Sequence, residues 1–319
     1  VHFTTDPVLV EVPATSANLG PGFDTLGLAL DLADTVRAAV TDGGVRVEVT
    51  GEGAGQLPDD ERHLIVRAAR TTFDRLGGPP PGLALTCHNR IPHARGLGSS
   101  SAAIVAGVLA ARALVTGGTA ALDDAAVLRL AAELEGHPDN VAPCLYGGLT
   151  IAWTGPSASG PAGAHAVRLD VDPAVRPVVF VPASRSLTEQ ARAVLPATVP
   201  HGDAAANAGR AALLVHALTG APDLLLPATE DRLHQSYRAA AMPDSAMLIS
   251  RLRAAGIPAV LSGAGPTVLA FLDPESADAG SIDAGQSAVE KLVTDLTVEF
   301  RILPLAVRRA GATVFSEKR

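Results

Sequence analysis

Apolar and polar positions along the chain repeat at two different periods. Residues 8–12 (VLVEV) and 45–49 (VRVEV) alternate every second position, which gives an extended segment one apolar face and predicts strands. An apolar stretch resumes at 26–32, and 83–87 predicts another strand. Residues 63–76 carry apolar positions at helical spacing and stop at Gly77-Gly78, followed by three prolines. Further helices are predicted from 101 to about 115, and from the cap Asp123-Asp124 through Val127, Leu130 and Leu134 to Gly136. The segment 13–23 (PATSANLGPGF) predicts a loop, and 146–153 a strand across a Gly-Gly turn.

The second half predicts strands at 178–181 and 298–303 and a strand–turn–strand within 259–272. Helices are expected around 188–195, 204–218, 245–255 and 287–296. Residues 154–166 (TGPSASGPAGAHA) are small, polar and rich in Pro and Gly. That composition predicts a linker between an N-terminal domain, 1–155, and a C-terminal domain, 166–319. Hairpins mix with helices without strict alternation, so the pattern predicts an α+β fold rather than a doubly wound sheet.

Composition narrows the class. The 319 residues are 47% hydrophobic but only 3% aromatic, so the core must be built from Ala, Val, Leu and Ile. The longest apolar run, 102–115, is too short to span a bilayer and contains Arg112. The start VHFTTDPVLVEV lacks the basic stretch and small-residue cleavage site of a signal peptide, which predicts a cytoplasmic protein. Cys87 and Cys144 are far apart and form no CxxC pair, so they read as reduced core thiols. A net charge of -8 without a basic run argues against a general nucleic-acid binder.

Three segments carry candidate chemistry. In IPHARGLGSSSAA (91–103), small and hydroxylated residues stand at the mouth of an apolar helix. Backbone N–H groups at a helix N-terminus bind phosphate, and glycines allow close backbone approach. The plainer reading is a serine helix cap. The Walker form and the protein-kinase signatures are absent, and the only lysines are Lys291 and Lys318. In PATSANLGPGFD (13–24), Asn18 and Asp24 offer a neutral and a charged group to a small polar ligand, or else close an Asx-turn. In ELEGHPDN (133–140), Glu133 and Glu135 oppose the dipole at a helix end and invite a cation such as Mg²⁺, or else form a solvated face. SGAGPT (262–267) reads as a hairpin turn or as a backbone wall against a ligand.

Taken in this order, the segments resemble the motifs of the GHMP kinase superfamily, which includes galactokinase, homoserine kinase and mevalonate kinase. IPHARGLGSSSAA is similar to the phosphate-binding motif, VPATSANLGPGFDTLGLAL to the first motif and LSGAGPTVLAF to the third. The forms ATSANLGPGFD and EGHPDNVAP resemble the homoserine kinase family. The loop reads GLGSSS where GLGSSA is commoner, and SGAGPT stands where SGSGPT is commoner.

The resemblance implies a nucleotide-binding N-terminal part similar to the second domain of ribosomal protein S5, and a ferredoxin-like C-terminal part. It implies an ATP- and Mg²⁺-dependent kinase of L-homoserine, with no nucleic acid or membrane partner and a homodimer as an open expectation. Pro92, Arg95, Gly96, Leu97, Gly98, Ser99, Ser100 and Ser101 fall on the ATP loop. Ser99 (or Ser100) and Glu133 fall on the Mg²⁺ ligands, with Glu135 as the alternative to Glu133. Asn18, Asp24, His137, Asp139, Asn140 and Gly263 fall on the acceptor pocket, and Arg192 and Arg238 on its arginines.

The chemistry is consistent with this. A homoserine carboxylate suits a bidentate arginine, and its ammonium suits Asp24 or Asp139. An amide cannot act as a general base, so Asn140 is expected to position the acceptor hydroxyl while its proton passes to phosphate. Two rival readings are another GHMP kinase, acting on mevalonate, a sugar or shikimate, and a non-catalytic nucleotide sensor.

Overall fold

Two sheets organise the chain in the computed structural model, which describes residues 1–156, 162–184, 188–272 and 296–317. In chain order the first part contains β1 (Val8–Ala17), β2 (Leu26–Thr41), β3 (Gly44–Gly51), α1 (Leu64–Arg75), β4 (Gly82–Asn89), α2 (Ser99–Leu114), α3 (Gly118–Ala121), α4 (Asp124–Glu135), α5 (Val141–Tyr146), β5 (Leu149–Gly155) and β6 (Gly163–Leu169). There follow β7 (Arg176–Pro182), α6 (Thr188–Ala193), α7 (His201–Gly220), α8 (Leu225–Ala228), α9 (Gln235–Arg238), α10 (Pro243–Ala254), β8 (Ala259–Leu261), β9 (Val268–Leu272), β10 (Phe300–Pro304) and β11 (Thr313–Ser316).

The larger sheet runs β11-β1-β2-β4-β3, with β5 paired to β2 and β6 to β5. Its pairings are antiparallel except β3 with β4. The alternation in VLVEV puts Val8, Val10 and Val12 into the core. The register of β1 against β2 shifts between Pro13 and Ala14, where proline has no N–H to give the ladder. Helix α2 lies on β1 and against α1, and is apolar along nearly its whole surface.

The smaller sheet runs β10-β7-β9-β8, all antiparallel. Strand β7 is buried on both faces. Val179 and Val181 join the large core, while Val178 and Phe180 join a second core with Leu248 and Leu252 of α10. This explains why VVFV is a continuous apolar run rather than an alternating one. Among the described residues no helix is long and apolar enough to cross a membrane.

Three expectations change. The segment PATSA continues β1 instead of forming a loop, because small residues fit beneath α2. Tyr146 ends α5, and the strand begins only at Leu149. Gly155 pairs with Gly163, so the Pro- and Gly-rich segment 154–166 joins two strands of one hairpin rather than two domains. Such a composition marks a chain reversal as readily as a linker. Strand β11 returns to β1, so the larger sheet draws on 8–169 and 313–316 and the smaller sheet on 176–304. The helix expected at 287–296 lies outside the described residues but for its last position.

Candidate active site

The loop before α2 sets one end of a cavity. Gly98 has a left-handed backbone (φ 70°), and no side chain caps the helix. The first helical hydrogen bond runs from Ala102 N–H to Gly98 O, so the amides of Ser99, Ser100 and Ser101 lie ahead of the ladder. In a sixteen-residue helix these amides carry the positive end of the dipole. The serines therefore do not cap the helix.

Close approach requires glycine twice in this loop. A Cβ on Gly98 would lie 2.0 Å from Thr15 Oγ1, and one on Gly96 2.3 Å from Ser262 O. Three bonds hold the loop against β1 and the β8–β9 turn. Thr15 N–H donates to Leu97 O (3.1 Å), Thr267 N–H to Arg95 O (3.2 Å), and the Ser262 hydroxyl to Gly96 O (2.6 Å).

A cavity of about 370 Å³ opens beyond the loop. It is lined by Arg95, Gly96, Gly98, Ser99 and Ser100 from the loop, and by Asn18, His137, Asp139, Asn140, Arg192, Arg238 and Gly263 from elsewhere. Pro92, Leu97, Ser101, Asp24 and Glu133 do not line it. Pro92 borders a separate depression with Glu52 and Arg301. The Leu97 side chain is in the core, and Ser101 is buried beneath the helix start.

Glu133 and Glu135 stand in different surroundings. Two residues apart on a helix point in opposed directions. Glu133 is exposed and pairs with Arg75 (2.6 Å). Glu135 accepts from Ser100 and Ser101 hydroxyls, each at 2.8 Å. Burial raises the Glu135 carboxyl above its ordinary range, and the two serine bonds and the His137 charge only partly oppose this. A carboxylate held beside an anion-binding helix end is a suitable donor for a hard cation.

The other end is made of side chains that already bind one another. Asn18 and Asp24 both have left-handed backbones, which Asn and Asp tolerate. Asn18 Nδ2 donates to Gly263 O (2.8 Å), and its Oδ1 accepts from Asp24 N–H (2.9 Å). Arg192 grips Asp24 through two hydrogen bonds of 2.6 and 3.1 Å, which raises the arginine's pKa further. Arg238 is 1% exposed and donates to Ala191 O (3.0 Å) and Gly263 O (3.2 Å). Burial, and then the charge of Arg192, lowers its pKa. Both guanidinium carbons lie 5.7 Å from the centre of the Phe23 ring.

Histidines complete this end. His234 Nδ1 lies 3.0 Å from Arg238 Nη1, which can only donate, so the imidazole proton sits on Nε2 and donates to Gly20 O (2.8 Å). Burial and Arg238 hold this histidine below its usual pKa, against the pull of Asp231. For His137, burial works downward, but the bond to Asp139 (2.6 Å) and the nearby carboxylates outweigh it, and the net shift is upward. Asn140 Oδ1 accepts from the Thr15 hydroxyl (2.8 Å).

The cavity extends past the loop to residues that the sequence reading did not single out. Asp34 accepts from the backbone N–H groups of Arg90 and Ile91, and burial lifts its pKa to about 6 despite those bonds. His63 begins α1 by accepting from Ile65 N–H (3.3 Å), which leaves a buried Nε2 with no partner. A helix start at this position was legible, but a buried second ring nitrogen without a partner was not.

Known proteins resemble this chain over nearly its whole length. The family model for the GHMP kinases N terminal domain matches residues 63–148, and that for the GHMP kinases C terminal matches 205–281. A homoserine kinase of Streptomyces avermitilis is 59% identical over 305 residues, covering 95% of this chain and 98% of the relative. The crystal structure of homoserine kinase from Cytophaga hutchinsonii matches with a TM-score of 0.81 at 28% identity, covering 99% of this chain and 100% of the other. L. major mevalonate kinase, solved with R-mevalonate, matches at 0.65 over 94% of this chain and 96% of the other. At 16% identity that likeness speaks for the fold alone.

Proposed function

The chain belongs to the homoserine kinase family of the GHMP kinases, and we propose that it transfers the γ-phosphoryl group of ATP to the side-chain hydroxyl of L-homoserine. The product is O-phospho-L-homoserine, an intermediate of threonine biosynthesis, and a cytoplasmic site of action goes with that role. The observation that carries the reading is that an uncapped helix start and a set of opposed charged groups line one cavity.

The roles follow from the chemistry of each group. The amides of Ser99–Ser101 and the helix dipole receive the phosphates. Glu135, with the hydroxyl of Ser99 or Ser100, is suited to hold Mg²⁺, which when bound neutralises phosphate charge. Arg192 and Arg238 receive the acceptor's carboxylate. Asp139, which lines the cavity, is the candidate for its ammonium, while Asp24 acts on the site through its pair with Arg192. Asn140 orients the hydroxyl, and no side chain needs to take its proton, because positioning and charge stabilisation carry most of a phosphoryl transfer. On this reading the first sheet's unit (8–169 with 313–316) supplies the nucleotide end, and the second unit (176–304) supplies Arg192, Arg238 and Gly263.

The test is ADP release with Mg²⁺·ATP against L-homoserine, mevalonate, shikimate, galactose and L-serine. Selective turnover of L-homoserine is the expected result. Turnover of another alcohol overturns the acceptor assignment, and silence with ATP still bound turns the reading to a sensor.

A further inference from the structure

We propose that Thr15 is a positioning residue for phosphoryl transfer, acting through Asn140. The proposal rests on the reading of Asn140 as the group that orients the acceptor hydroxyl. Thr15 lies on β1 and is 0% exposed, so it touches neither substrate. Its hydroxyl donates to Asn140 Oδ1 at 2.8 Å across 125 residues of sequence. Among the described residues, no partner takes Asn140 Nδ2.

Two physical consequences follow. An amide is planar and its two ends diverge, so tying Oδ1 back to β1 turns Nδ2 away from the strand. Asn140 lines the cavity, and the end it offers an acceptor oxygen is therefore an N–H donor. Without the Thr15 hydroxyl, nothing on this side holds the amide in place.

The same hydroxyl also sets a distance. A Cβ on Gly98 would lie 2.0 Å from Thr15 Oγ1 and 3.2 Å from Asn140 Oδ1, so the Thr15–Asn140 bond runs directly against the residue that precedes α2. Thr15 N–H meanwhile holds Leu97 O. One β-strand residue thus fixes the phosphate loop through its backbone and the acceptor-orienting amide through its side chain. Attack along one line requires both to be in register, and a misplacement of about 1 Å can reduce rate by roughly 10²-fold.

The test compares Thr15→Val, which keeps shape and strand propensity, with Thr15→Ser, which keeps the hydroxyl. Thr15→Val is expected to lower kcat by about 10- to 100-fold, with KM for both substrates within about twofold of the parent. Thr15→Ser should hold kcat within about threefold. Thr15→Val combined with Asn140→Ala should be no slower than Asn140→Ala alone, because both act through one amide. Thr15→Ala provides the same comparison if the valine does not fold beside Gly98.

A parent-like kcat in the hydroxyl-free variants, or losses that multiply in the double variant, would overturn the proposal. So would a serine variant as slow as the valine one. A parent enzyme that ignores homoserine but phosphorylates another alcohol defeats the acceptor reading instead, and the Thr15 series is then read on that alcohol.

Discussion

The two ends of the cavity are built from different materials. The proposed nucleotide end is made of backbone: three amides at the start of α2 and two glycines that let the loop lie against β1 and the β8–β9 turn. The acceptor end is made of long side chains from both units, each already held by another: Arg192 by Asp24, Arg238 by His234 and Gly263, His137 by Asp139. A backbone site binds anything with a phosphate and tolerates no added Cβ. A side-chain site discriminates, because an acceptor must replace existing partners with equally good ones.

The largest effect is expected where backbone has no room to yield. Gly98→Ala forces a side chain into a left-handed residue, at about 1–2 kcal/mol, and against the buried Thr15 hydroxyl, at about 1–3 kcal/mol more. The unfolding midpoint should fall, and the stabilisation by Mg²⁺·ATP should vanish. A variant that melts like the parent and still responds to the nucleotide breaks the claim that this end is backbone-built. Next comes Glu135→Gln, which keeps the shape but loses the charge and leaves one acceptor oxygen for the two serine hydroxyls. Its kcat should drop by roughly 10²-fold and its melting temperature should no longer respond to Mg²⁺ in the presence of ATP. An unchanged Mg²⁺ response removes Glu135 from the cation site.

Arg238→Ala tests the other material. A charge-assisted hydrogen bond is worth about 1.5–3 kcal/mol, so KM for homoserine should rise by roughly 10- to 100-fold while KM for ATP stays within about twofold. Equal loss on both substrates would mean that Arg238 shapes the whole cavity through Ala191 and Gly263 and does not meet the acceptor.

The same contrast explains what was legible in the sequence. The proposed phosphate loop is one contiguous string, so residue types and their order offered it as a candidate, and the family resemblance chose it over a serine cap. Strands with an alternating pattern, such as VLVEV, and helices with clear stops were legible for the same local reason. The acceptor end is assembled from residues 18–24, 137–140, 192, 234–238 and 263, and nothing local says that His234 will hold Arg238 or that Thr15 will hold Asn140. Resemblance to a family placed Arg192 and Arg238 there, but neither His234 nor Thr15. The hairpin across 154–166 was misread because Pro, Gly and Ser report that a chain bends, not where it goes next.

The smallest expected effect sharpens the comparison most cleanly, because it concerns two carboxylates in one turn of one helix. Glu133 and Glu135 carry the same group within the last turn of α4, so residue type offers no ground to choose. Geometry does: the Glu133 side chain is 66% exposed and meets an Arg75 that is itself 45% exposed. Exposed pairs of this kind contribute about 0–1 kcal/mol, since water competes for both charges. Glu133→Gln should therefore leave kcat, both KM values and the Mg²⁺ response unchanged, and shift the unfolding midpoint barely or not at all. A Glu133→Gln variant that loses Mg²⁺ dependence would reverse the assignment and put the cation on the outer face of α4, away from the phosphate loop. If instead Glu133→Gln is silent where Glu135→Gln is crippled, then the roughly 200° between helix positions two apart, rather than residue type, decides which carboxylate serves the site.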